Sequence, residues 1–168
     1  MDEKTGIQER LYIVVTDEDG NVVDTRETYR ATTWQKIKKF FGFKRCYSND
    51  IIVNQCLEDM AAYIAGYYNY ISVGTGTTDP DYADTGLEAE ILSRTAAATS
   101  ITTTFYTNDT AVFRGTFTPG YDVTITESGL HTQETSSGDR LAARETFEGM
   151  SVPGLYAFTI EWNLVVMR

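Results

Sequence analysis

The last stretch of the chain leaves the fewest choices. From Tyr156 to Met167 the side chains alternate strictly. Tyr156, Phe158, Ile160, Trp162, Leu164 and Val166 fall on one side, and Ala157, Thr159, Glu161, Asn163, Val165 and Met167 on the other. A period of two marks a β-strand, since a helix would scatter those large apolar groups around its axis. Twelve residues at about 3.3 Å each make roughly 40 Å of strand, long for a small domain. Such a strand belongs in the middle of a sheet or at an interface between copies of the chain. Tyr156, Phe158, Ile160, Trp162 and Leu164 are therefore candidate self-association residues.

Upstream the same grammar holds. Threonine occurs 25 times, and Thr, Tyr and Phe suit a pleated, half-buried surface. Strands are expected over residues 99–107, 110–118, 122–127 and 140–147, with a Ser/Gly turn at 136–139. Residues 10–30 read as a hairpin whose turn, at 17–21, places Gly20 where a positive φ is wanted. The same turn superficially resembles a calcium loop, but Thr28 stands where an EF-hand needs its bidentate Glu. Helical spacing of Val53, Cys56, Leu57, Met60 and Ile64 predicts a helix over residues 48–66, with Ser48, Asn49 or Asp50 as cap and Gly66 as terminator. Thr85 and Glu88 form a capping box that predicts a brief helix through about Ser93.

Charge divides the chain. The formal net charge is −10, yet residues 1–45 hold nine Lys and Arg against eight acids, and every lysine lies at or before Lys44. Residues 30–45 contain no acid, and Trp34, Ile37 and Phe41 fall on one face of a short helix. Such a segment could dock on an acidic partner through Trp34, Lys36, Lys38, Lys39, Phe40, Phe41, Lys44 and Arg45; the plainer reading packs its apolar face on its own domain. Two units follow: residues 1–47, a hairpin with a basic attachment segment, and residues 48–168, a helix with a β body. The acidic body disfavours nucleic acid. No apolar run is long enough to span a membrane, and the N-terminal residues lack the apolar core of a secretion signal.

Catalytic signals are scarce. Cys46 and Cys56, separated by nine residues, match no zinc or redox template, and two reduced thiols are favoured over a bridge. His131 is the only histidine, which argues against catalytic triads and multi-histidine metal sites. Gly74 and Gly76 suggest a phosphate loop, but Asp79 occupies the third glycine position. Asp79, Asp81 and Asp84 read as an exposed acidic loop more readily than as a calcium site. Ser128 lacks the glycine-flanked setting of a hydrolase nucleophile. Tyr67, Tyr68, Tyr70 and Tyr82 could stack on a saccharide, although packing is the commoner fate of such rings. No enzyme activity and no cofactor is expected.

Five blocks, in order, carry a resemblance: ISVGTGTT (Ile71 to Thr78), DTGLEAE (Asp84 to Glu90), ITESGL (Ile125 to Leu130), GDRLAAR (Gly138 to Arg144) and TIEWNLVV (Thr159 to Val166). Together they resemble virion structural proteins of tailed bacterial and archaeal viruses, of the tail-fibre and tail-collar-like kind. The likeness covers residues 51–168 and leaves the hairpin and basic segment unmatched. It implies an antiparallel β-sandwich, with the N-terminal hairpin and one or two helices added to it. It further implies a non-catalytic part of a virus particle that associates with itself and with neighbouring virion proteins. The alternative is a capsid decoration, or a sandwich that binds a host-surface glycan or receptor.

Overall fold

The computed structural model describes the backbone of residues 6–33 and 52–167 and the side chains of residues 10–27 and 52–167. Strands β1 (Gly6–Thr16) and β2 (Val22–Thr33) form the hairpin, and helix α1 (Asn54–Tyr67) leads into β3 (Tyr70–Gly74). Then follow β4 (Thr95–Ala96), β5 (Ala98–Thr102), β6 (Thr110–Phe117), β7 (Val123–His131), β8 (Leu141–Val152) and β9 (Ala157–Val166). They build two antiparallel sheets, ordered β2-β1-β9-β6-β5 and β4-β3-β7-β8. β1 passes over β8 and β6 over β3 and β4, so the chain is a mainly-β sandwich; α1 packs on β5, β6 and β9.

The long alternating strand takes the central place in the larger sheet, between β1 and β6. Trp162 lies opposite Leu11 and Phe113, Ile160 opposite Ile13, and Phe158 opposite Val15 and Phe117. All of these side chains are buried in the core, each contributing roughly 1.5–3 kcal/mol. This corrects the self-association reading: Phe158, Ile160, Trp162 and Leu164 are consumed by the chain's own core and Tyr156 is half-buried against it. The hairpin is part of this sheet, because β1 pairs with β9 from Ile7 to Thr16. Its turn forms as expected, with the Asp17 carboxylate accepting the backbone N–H groups of Asp19 and Asn21 and Gly20 at φ 83°.

Other expectations shift. The apolar face of α1 is Leu57, Ala61, Ile64 and Ala65, followed by buried Tyr68, while Val53 and Cys56 face solvent. The helix begins at Asn54 without a side-chain cap and runs through Gly66. Strand β5 stops at Thr102 because the Asp109 carboxylate gathers the N–H groups of Thr104, Phe105 and Tyr106 into a loop. No helix forms over residues 85–93. Glu88 caps a loop instead, accepting the N–H groups of Thr77 and Thr78. Residues 75–94 thus run as an irregular strap between β3 and β4.

Candidate functional site

The strap lies on the outer face of the smaller sheet. Along β7, Ser128 and Leu130 point into the sandwich, and Glu127, Gly129 and His131 point the other way, towards the strap. The strap returns antiparallel to the end of β3: Thr75 N–H donates to the Ala89 carbonyl and Ile91 N–H to that of Val73. Two arginine-centred clusters fix it there.

In the first, the fully buried Glu127 carboxylate accepts three backbone N–H groups from the strap, those of Gly76 (2.9 Å), Glu88 (3.1 Å) and Ala89 (2.8 Å). Arg144 of β8 donates to Glu127 at 2.9 Å, to Asp84 at 2.8 Å and to the Thr78 carbonyl at 3.2 Å. One guanidinium fork thereby joins the sheet to both limbs of the strap. Asp84 and Glu88 both titrate below the usual carboxylate range; for Asp84 the cause is the Asp81 N–H and then Arg144, and for Glu88 chiefly the Thr78 N–H. The Asp79–Asp84 loop is consequently organised around Arg144, and no group of metal-binding side chains exists among the described residues. Glycine is required at two points. A Cβ on Gly74 would lie 2.5 Å from the Ala89 carbonyl oxygen, and one on Gly76 would lie 2.5 Å from Glu127 Oε1.

The second cluster contains an arrangement that sequence reading missed. Ser72 Oγ lies 2.7 Å from His131 Nε2, and His131 Nδ1 lies 2.6 Å from Asp139 Oδ2. Arg94 of the strap donates to Asp139 at 2.8 Å and to Glu90 at 3.0 Å. Asp139 titrates below the usual range: burial opposes this, but the hydrogen bonds from His131 and Arg94 outweigh it. An ionised Asp139 accepts from Nδ1–H, leaving Nε2 as acceptor and Ser72 as donor. These are the connections of a serine nucleophile, base and orienting acid. Yet Ser72 and His131 are both 0% exposed, and among the described residues they hydrogen-bond each other, Asp139 and the Gly129 carbonyl. Ser128 links this cluster to the core, donating to the Ser72 carbonyl and accepting from the Trp162 indole N–H at 3.2 Å. The triad therefore acts as a pin between strap, sheet and the 136–139 turn.

Burial is the main cause that pushes His131 below the ordinary imidazole value; the Asp139 hydrogen bond opposes it and the Arg94 charge adds to it. The unfolded chain therefore takes up a proton before the folded one, and stability present above about pH 6.5 falls as pH drops. Asp84, Glu88, Asp109 and Asp139, all lowered, extend the loss into the carboxylate range. Thermal melts should show the melting temperature falling between pH 7.5 and 5, with the single histidine contributing no more than about 1.4 kcal/mol per pH unit. In His131→Gln the slope above pH 5.5 should disappear; an unchanged slope would mean another group titrates there.

Other expected site residues lie apart. Trp34, Lys36, Lys38, Lys39, Phe40, Phe41, Lys44 and Arg45 are outside the described residues. The tyrosines form no exposed row: Tyr68 is buried, Tyr70 is half-buried, and Tyr67 is held between Tyr63, stacked at 5.5 Å, and Tyr68, edge-on at 5.2 Å. Tyr82 stands in solvent on the strap. No protein-family model, curated protein or solved structure matches this chain. The geometry nonetheless gives four of the five sequence blocks a common purpose. Gly76 to Thr78, Asp84 with Glu88 and Glu90, Glu127, and Asp139 with Arg144 come from those four blocks and meet in these two clusters, while the fifth block is the core strand β9.

Proposed function

We propose that the chain is a non-enzymatic structural component of a tailed virus particle, a β-sandwich that associates with itself and docks on neighbouring virion proteins. The observation that carries this reading is the convergence of four of the five sequence blocks on the two arginine clusters that fasten the strap. The residues behind the resemblance fasten a strap to a sheet; they do not line a cleft. A part that transmits load between neighbours needs its outer layers fixed to its core, and two arginine clusters do that here.

The large apolar side chains of β9 are buried, so association has to use others. Thr16 pairs with Ala157 and Phe117 with Phe158, which brings the β1–β2, β6–β7 and β8–β9 turns to one end of the sandwich. That end exposes Val22, Val23, Tyr121 and Leu155. Apolar and aromatic groups at a tip, within an acidic surface, suit the centre of a symmetric contact. No helix among the described residues is long and apolar enough to cross a membrane.

Light scattering across a concentration range tests this. A stable trimer, pentamer or hexamer of the 18.8 kDa chain is expected, and Leu155→Asp with Tyr121→Asp should dissociate it. A single-chain mass at every concentration would contradict self-association.

A further inference from the structure

Helix α1 turns towards solvent an apolar ridge that no described residue covers. Val53, Cys56, Met60, Tyr63 and Tyr67 recur at intervals of three and four residues, so they share one stripe. It is rotated by roughly 100° from the face that Leu57, Ala61, Ile64 and Tyr68 bury in the core. Val53 and Tyr63 are each 58% exposed, Cys56 and Tyr67 are exposed as well, and Met60 is half-buried. Single apolar groups on a surface are ordinary; a row of them along a helix marks a contact.

The position of α1 limits what can reach the ridge. Glu58 accepts from Asn108, just before β6, and Asn69, just after the helix, donates its backbone N–H to His131 at the end of β7. α1 therefore lies at the end of the sandwich opposite the exposed tip. Strand β2 finishes at that same end, since Thr33 lies opposite Gly6, and Ile7 opposite Val166. Residues 34–51 leave from there and return to Ile52, directly before α1. At the helical spacing of Trp34, Ile37 and Phe41, residues 34–45 would measure about 18 Å against about 21 Å for the ridge, and residues 46–52 are an ordinary connection between antiparallel helices.

Charge separates the occupants. α1 carries Glu58 and Asp59 and no cation, so a second copy would bring acid to acid. Residues 30–45 contain six Lys and Arg and no acid. Their tether makes the contact intramolecular, at an effective concentration on the order of millimolar, and it does not need the area that a stable dimer buries.

We propose that residues 34–45 of the same chain cover this ridge, running antiparallel to α1 with Phe41 towards Cys56, Ile37 towards Met60 and Trp34 towards Tyr63. The basic segment is thereby part of its own domain, not a free arm for an acidic partner.

Cys56 lies on the ridge and reports its cover. In the full chain carrying Cys46→Ser it is the sole thiol, and its reaction with dithionitrobenzoate is followed. It should react at least tenfold more slowly than in the same chain with Trp34→Ser, Ile37→Ser and Phe41→Ser, and at one rate from about 1 to about 100 µM protein. Lys36→Glu, Lys38→Glu and Lys39→Glu together give a second test, with a several-fold acceleration, if the serine variant unfolds. The proposal is overturned if Cys56 reacts as fast as in the urea-unfolded chain, if neither folded variant changes its rate, or if protection grows with concentration, which would mean that a second copy covers the ridge.

Discussion

Replacing Arg144 with alanine should destabilise the protein by about 3–5 kcal/mol, because the change leaves the buried Glu127 carboxylate without its charge partner. For a chain of 168 residues that corresponds to a fall of roughly 6–20 °C in Tm. The loss exceeds that of a surface ion pair because the Arg144 side chain is 5% exposed and that of Glu127 0%. Arg114 and Glu161 offer the comparison: the Arg114 side chain is 62% exposed, and Arg114→Ala should cost no more than about 1 kcal/mol. Arg144→Lys should recover little, since a point charge cannot reach Glu127, Asp84 and the Thr78 carbonyl together. Glu127→Gln combined with Arg144→Ala should cost less than the two single changes added, as the partners act through one contact. Thermal and urea melts of these variants and of Glu127→Gln alone check this, and strict additivity would mean the two residues do not share a clamp.

A single methyl group at Gly74 is expected to do comparable damage locally. It would meet the Ala89 carbonyl oxygen at 2.5 Å, a backbone atom that cannot swing aside, so the strap must lift or β3 must bend. Overpacking of this kind costs about 1–3 kcal/mol. Gly66 provides the control: it lies inside α1 with no atom within 4 Å of an added Cβ. Gly66→Ala should stabilise the helix by up to about 1 kcal/mol. If Gly74→Ala melted like the native chain, the close approach of strap and strand would be wrong.

The strands were legible in the sequence because a period of two survives any tertiary context in which one face is buried. β9 is the clearest case: its length and alternation place it in mid-sheet or at an interface, and pairing with β1 and β6 puts it in mid-sheet. The face of α1 is only partly legible because Val53 and Cys56 share the helical spacing of Leu57 and Ile64, and spacing alone does not tell which end of an apolar stripe the domain covers. Thr85 and Glu88 matched a capping box, yet Glu88 found its donors at Thr77 and Thr78, which are remote along the chain and adjacent in the strap. The clamp was illegible for the same reason. Glu127 reads as an outward-facing strand residue, and only the strap's arrival makes that position interior. Likewise a lone histidine argues against a triad until the 136–139 turn, with Gly138 at φ 70°, folds Asp139 back onto His131.

Hydrogen exchange at Gly76, Glu88 and Ala89, the three strap amides that donate to Glu127, tests most directly whether the buried clamp holds the strap to the sheet. In the native chain these amides should exchange as slowly as those of β9, and in Arg144→Ala they should open while β9 stays protected. Native-state exchange as fast as that of the exposed turn at Ser136 and Ser137 would contradict the clamp.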